Sequence, residues 1–148
     1  MCLPSMIHNR PWIYITGDTE SRTDIGKWML FFNKSILDNQ WILYRTLFEQ
    51  RQLRGVIAIK VSTMYNNPRA STSNDNGVII FYCAQSTVET HIMEIGLLII
   101  QYLHDYAYPV IYYKTDTQTR NGTLMMGMKI NHTYTLNTTG FDPNILYC

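Results

Sequence analysis

Val78 to Cys83 reads VIIFYC, an unbroken apolar run of strand length. A run of this kind predicts a central strand of a sheet, and the rest of the chain has to be arranged around it. Three further stretches have strand character. Lys27 to Phe32 (KWMLFF) follows the punctuating Gly26, Val56 to Thr63 reads VIAIKVST, and Ile111 to Lys114 follows Pro109. Asn121-Gly122 is a two-residue turn signal. It introduces a methionine-rich strand over Leu124 to Ile130.

Two stretches change period. Ser35 followed by Asp38 predicts an N-cap, and Ile36, Trp41, Tyr44, Leu47 and Phe48 recur at helical spacing up to Arg51. Ser86-Thr87-Val88-Glu89 has the form of a capping box. Val88, Ile92, Ile95, Ile99, Leu103 and Tyr106 then give the buried stripe of a second helix, which must stop before Pro109. Met64 to Asn76 is a polar surface loop. Residues 1–26 read as an N-terminal arm docking through the apolar island Trp12 to Ile15, and 131–148 as a tail. The predicted order is β, α, β, β, α, β, β. Tight loops favour an antiparallel sheet with both helices on one face, an α+β fold in a single domain over 1–148.

With 12 basic and 11 acidic residues the net charge is +1, so any anion site must come from local clustering rather than overall charge. The three cysteines, Cys2, Cys83 and Cys148, form no CxxC pair, and Cys83 closes an apolar run as a buried thiol. The first twelve residues lack the apolar core of a signal peptide, and the longest apolar run, Ile95 to Ile100, is far short of a membrane span. The expectation is a soluble cytoplasmic protein with no membrane partner.

Strand alternation locates a candidate surface. In Val56 to Thr63, Ile57, Ile59, Val61 and Thr63 face the helices, which turns Lys60 and Ser62 to the other side. If Ile111 faces the helices, Tyr112 and Lys114 join them. Lysines, a hydroxyl and an aromatic ring on one open face suit a phosphate-bearing ligand with a planar base. Other chemistry is thin. His8, His91, His104 and His132 lack metal spacing, and no P-loop, GxGxxG or GxSxG occurs. No cofactor is expected.

Gly26-Lys27-Trp28-Met29-Leu30-Phe31, Asp38 with Trp41, Lys60-Val61-Ser62-Thr63, and Tyr113-Lys114-Thr115-Asp116 with Thr119 form a familiar pattern. It resembles the uncharacterised family that includes the basophilic-leukaemia-expressed protein, within the superfamily of translation initiation factor 4E. The similarity covers roughly Pro11 to Met128. The resemblance implies a curved antiparallel sheet with helices on its convex side. It does not imply cap binding. That activity uses two tryptophans and an adjacent glutamate, and Trp12, Trp28 and Trp41 are followed by Ile13, Met29 and Ile42. The residues matching the uncharacterised family are Lys60, Ser62, Thr63, Lys114, Asp116 and Thr119.

The expected function is a nucleotide- or short-RNA-binding module. Lys60 and Lys114 would hold phosphates, Ser62 and Thr63 would donate hydrogen bonds, and Tyr65 or Tyr112 would stack a base. The compact, neutral, Asn-rich composition suits a viral or mobile-element factor that sequesters a host nucleotide signal. One alternative is a metal-independent phosphodiesterase on the same face, with Asp116 or a histidine as general base. The other is a protein-interaction module built on the first helix or the methionine-rich strand, with a protein partner or a homodimer.

Overall fold

The computed structural model describes residues 1–17, 24–66, 75–85, 87–115 and 134–138. Six strands form one antiparallel sheet in the order β1-β3-β4-β2-β5-β6. They are β1 (Trp12–Thr16), β2 (Gly26–Asn33), β3 (Val56–Ser62), β4 (Asn76–Cys83), β5 (Val110–Thr115) and β6 (Tyr134–Asn137). Two helices, α1 (Lys34–Glu49) and α2 (Glu89–Ile100), cover one face. The VIIFYC run lies in β4, inside the sheet between β3 and β2, as its composition demands.

The core forms between that face and the helices. Trp28, Leu30, Ile59, Ile79, Phe81, Ile111 and Tyr113 point to it and are fully buried, as are Trp41 and Tyr44 of α1. Buried polar atoms on the aromatic rings join the layers. The Trp28 indole N–H donates to the Ile92 carbonyl at 3.0 Å, and the Tyr44 hydroxyl donates to the Ile99 carbonyl at 3.1 Å. The first bond ties β2 to α2 and the second ties α1 to α2. Gly96 lets α2 pack tightly on the sheet. A Cβ there would lie 2.7 Å from the Trp28 ring and 2.4 Å from Leu136.

Several boundaries differ from the sequence expectation. Trp12 to Thr16 is not a docking arm but an edge strand, paired with β3 from Trp12↔Ser62 to Thr16↔Ala58. The chain before it is held separately, since the Ser5 backbone N–H and hydroxyl both donate to the Asp38 carboxylate. Part of the expected tail, Tyr134–Asn137, is β6. The cap of α1 is Asn33, whose side chain accepts from the Ser35 N–H at 2.9 Å, so the helix begins two residues before Ile36.

α2 starts after Val88, which gives no side-chain cap. It ends at Ile100 rather than running to Tyr106. Beyond it Tyr102 and Leu103 bond back three residues, and Asp105 takes a left-handed φ of 52° that no helix continues through. Tyr106 remains packed for a different reason. β2 pairs with β5 only from Gly26 to Met29, and the Phe31 N–H beyond that stretch donates to the Tyr106 hydroxyl at 2.8 Å. Ser86, the Asn121-Gly122 turn and the strand expected over Leu124 to Ile130 lie outside the described residues.

Candidate functional site

Among the described residues the strands carry three lysines, Lys27, Lys60 and Lys114, and no aspartate, glutamate or histidine. Alternation and register place all three on the face turned from the helices. Lys27 is the Cα partner of Tyr82 on one side and of Lys114 on the other. Lys60 is the partner of Tyr14 and of Ile80. One register row therefore reads Thr16, Ala58, Tyr82, Lys27, Lys114, and the next reads Tyr14, Lys60, Ile80, Met29, Tyr112.

Aromatic rings hold the ammonium groups. Lys60 Nζ lies 4.0 Å from the centre of the Trp12 ring and 5.5 Å from that of Tyr82, both within cation–π range. Lys27 Nζ lies 5.8 Å from the Tyr82 centre on that ring's other neighbouring strand. Tyr14 meets Tyr82 edge-on with centroids 6.2 Å apart. Lys114 forms no hydrogen bond, ion pair or ring contact among the described residues. Partial burial holds its ammonium below the usual lysine pKa, because desolvation disfavours the charged form.

The face is less open than the sequence predicts. Ala58, Val78 and Ile80 in its middle are buried, and Lys27 is only 8% exposed. Exposure is concentrated at the β1 edge, where Tyr14 is 55% exposed. Lys60, Tyr82, Tyr112 and Lys114 are half-buried.

The predicted residues separate accordingly. Lys60, Tyr112 and Lys114 share the face, but Lys60 and Lys114 do not form a pair. β4 and β2 stand between their strands, so the backbones are about 14 Å apart at ~4.8 Å per strand. Ser62 has the right parity, yet its hydroxyl bends into the ladder and accepts from the Val78 N–H at 2.9 Å. Thr63 is 4% exposed; its hydroxyl donates to the Arg10 carbonyl and accepts from the Tyr65 N–H at 3.2 Å. The first bond joins the N-terminal segment to the end of β3, and the Thr63 hydroxyl is thereby engaged with two backbone groups. Tyr65 stands beyond β3 and is 40% exposed. Asp116 and Thr119 lie outside the described residues.

Lys27, Trp12, Tyr14 and Tyr82 were not singled out by the sequence reading. The signal was present: Trp28, Leu30 and Phe32 alternate with Lys27, Met29 and Phe31, and Ile13 and Ile15 alternate with Trp12 and Tyr14.

Elsewhere the chemistry is sparse. No group of His, Cys, Asp and Glu suited to a metal occurs among the described residues. Burial pushes the Cys83 thiol far above its ordinary pKa, which suppresses the thiolate. A depression of ≈ 350 Å³ lies in the helix layer between the Arg54-Gly55 turn and His91, Glu94 and Leu98 of α2. No described helix is long and apolar enough to cross a membrane. Comparison with family models gives no match, and comparison with curated proteins gives none.

Proposed function

We propose that the chain is a binding module for a nucleotide or a short single-stranded RNA, acting through the lysine face. The observation that carries this reading is that the three lysines of the described strands, Lys27, Lys60 and Lys114, lie on one face, interleaved with Trp12, Tyr14, Tyr82 and Tyr112. Ammonium groups supply the attraction for phosphate, and aromatic faces supply sequence-tolerant stacking. The antiparallel sheet with both helices on one side is also the arrangement that the resemblance to the initiation factor 4E superfamily implies. Cap-type recognition by paired tryptophans is not part of the proposal. Trp28 and Trp41 are fully buried in the core, which leaves Trp12 as the indole with an accessible ring.

The test is a thermal-shift screen against mono- and dinucleotides, cyclic dinucleotides and short RNA, with each mixture then chromatographed for products. A ligand at ~100 times its Kd should add about 2.7 kcal/mol to stability. The expected result is a shift with intact ligand that is lost in the Lys60→Ala, Lys114→Ala double variant. New products would favour the phosphodiesterase alternative. No shift with any member would overturn the reading.

A further inference from the structure

The contact between Lys60 and Trp12 has a consequence for what the face can accept. Trp12 belongs to the edge strand β1, whose described pairing is to β3 alone. Its ring is half-buried, and the neighbouring Tyr14 on the same face is 55% exposed. This is the accessible end of a face whose middle is closed. One side of the indole is already taken, by the Lys60 ammonium at 4.0 Å. A planar base cannot stack on that side until the ammonium leaves.

We infer that Trp12 and Lys60 form a coupled subsite for a single nucleotide unit, in which the phosphate draws Lys60 off the indole and the base stacks on the ring surface it uncovers. The inference rests on the nucleotide-binding reading and specifies the ligand it takes. A nucleoside offers a base but nothing to compensate Lys60 for its lost cation–π contact. Inorganic phosphate can engage the ammonium but leaves the uncovered ring facing water. Only a ligand carrying both groups in one unit, joined through its sugar, gains from each. The subsite therefore recognises the joined base and phosphate rather than either alone, and it is indifferent to base identity because every base has a stacking face.

The sequence supplies its own reporter. Of the three tryptophans, Trp28 and Trp41 are fully buried, so a ligand-dependent change in indole emission reports Trp12. The experiment titrates the full chain with AMP, adenosine, inorganic phosphate and hexa-adenylate, following tryptophan emission and calorimetric heat in parallel. Expected are quenching by AMP and hexa-adenylate, and binding of AMP at least about tenfold tighter than adenosine. In Lys60→Ala the ring is uncovered from the start. Adenosine should then bind more tightly than to the parent, and the two ligands should come within about threefold of each other. Lys60→Gln, which keeps the packing of the aliphatic stem, should behave alike and guards against a folding defect. Calorimetric binding of AMP without an emission change, or with the AMP preference intact in both Lys60 variants, would overturn the coupled subsite while leaving the lysine face as the binding surface. Absence of heat with all four probes would overturn both.

Discussion

Lys27 and Lys114 face each other as Cα partners across β2 and β5, on the side of the sheet away from the helices. Like charges directly opposite on neighbouring strands are destabilising. Here Lys27 is almost wholly buried, and the Lys114 ammonium is partly desolvated with its pKa lowered. Desolvation of the Lys114 ammonium is therefore a local cost of placing it on this face.

That cost has a definite pH signature. With the folded pKa of Lys114 below its unfolded value of 10.5, the unfolded chain binds more protons in the window between the two. Lys114 therefore opposes folding at neutral pH, and the penalty fades as pH rises through the folded pKa toward 10.5. Tyr44 and Tyr106 act in the opposite sense. Burial raises both above the ordinary 10.0, so they withdraw stability above that pH. The measurement is the melting temperature of the parent minus that of Lys114→Met, followed from pH 7 to 10. Lys114→Met should be the more stable at pH 7, and the gap should narrow with rising pH. A constant gap would rule out titration of Lys114 as its source.

Gly96 offers a test of the packing between the layers. Helix propensity alone favours Gly→Ala by about 1 kcal/mol. The new methyl would sit 2.7 Å from the Trp28 ring and 2.4 Å from Leu136, and Trp28 is held by its bond to Ile92. Overpacking of this kind costs about 1–3 kcal/mol, so the clash should win. Urea unfolding of Gly96→Ala should show a lower midpoint with an unchanged slope. A raised midpoint would mean that α2 lifts freely from the sheet.

The strands and helices were legible where one period dominated. VIIFYC reads as an inner strand, and the spacing of Trp41, Tyr44, Leu47 and Phe48 as one face of a helix, although that face begins at Leu37 and leaves Ile36 exposed. What escaped was set by tertiary partners. Trp12 to Thr16 is short, and its strand state depends on β3 offering a ladder. The end of α2 is fixed by the left-handed turn at Asp105 and by the demand of the Phe31 N–H for Tyr106, neither of which leaves a mark on local spacing. The site was half legible for the same reason. Alternation gave Lys60, Tyr112 and Lys114 their common face, but register alone shows that Lys27, not Lys60, is the neighbour of Lys114. Ser62 and Thr63 are indistinguishable from ligand donors in sequence, and their hydroxyls are engaged with backbone groups in the fold.

Thr63 consequently separates a structural role from a binding one. Thr63→Val keeps the shape and removes the hydroxyl that bridges the Arg10 carbonyl and the Tyr65 N–H. The loss should cost about 1–2 kcal/mol of stability, the range for a bridging hydroxyl whose partners are left unsatisfied. Ligand affinity, measured well below the melting temperature, should stay within about twofold of the parent. A larger loss of affinity with unchanged stability would return Thr63 to the site.

The lysines should also be countable from salt dependence. Each phosphate neutralised on a single strand contributes about −0.7 to the slope of log K against log salt concentration. The strands of Lys60 and Lys114 are about 14 Å apart across β4 and β2, too far for the two to share one phosphate, so each should contribute its own increment for a short oligonucleotide. Titration of hexa-adenylate at several salt concentrations should show a slope about 0.7 shallower in Lys114→Ala than in the parent. In Lys60→Ala, Lys114→Ala the slope should be shallower by about 1.4. AMP carries one phosphate and reaches only one of the two positions. Its slope should respond to Lys60→Ala and be insensitive to Lys114→Ala. If both substitutions altered the AMP slope equally, the two ammonium groups would be acting on a common anion, and the two-position arrangement across the sheet would be wrong.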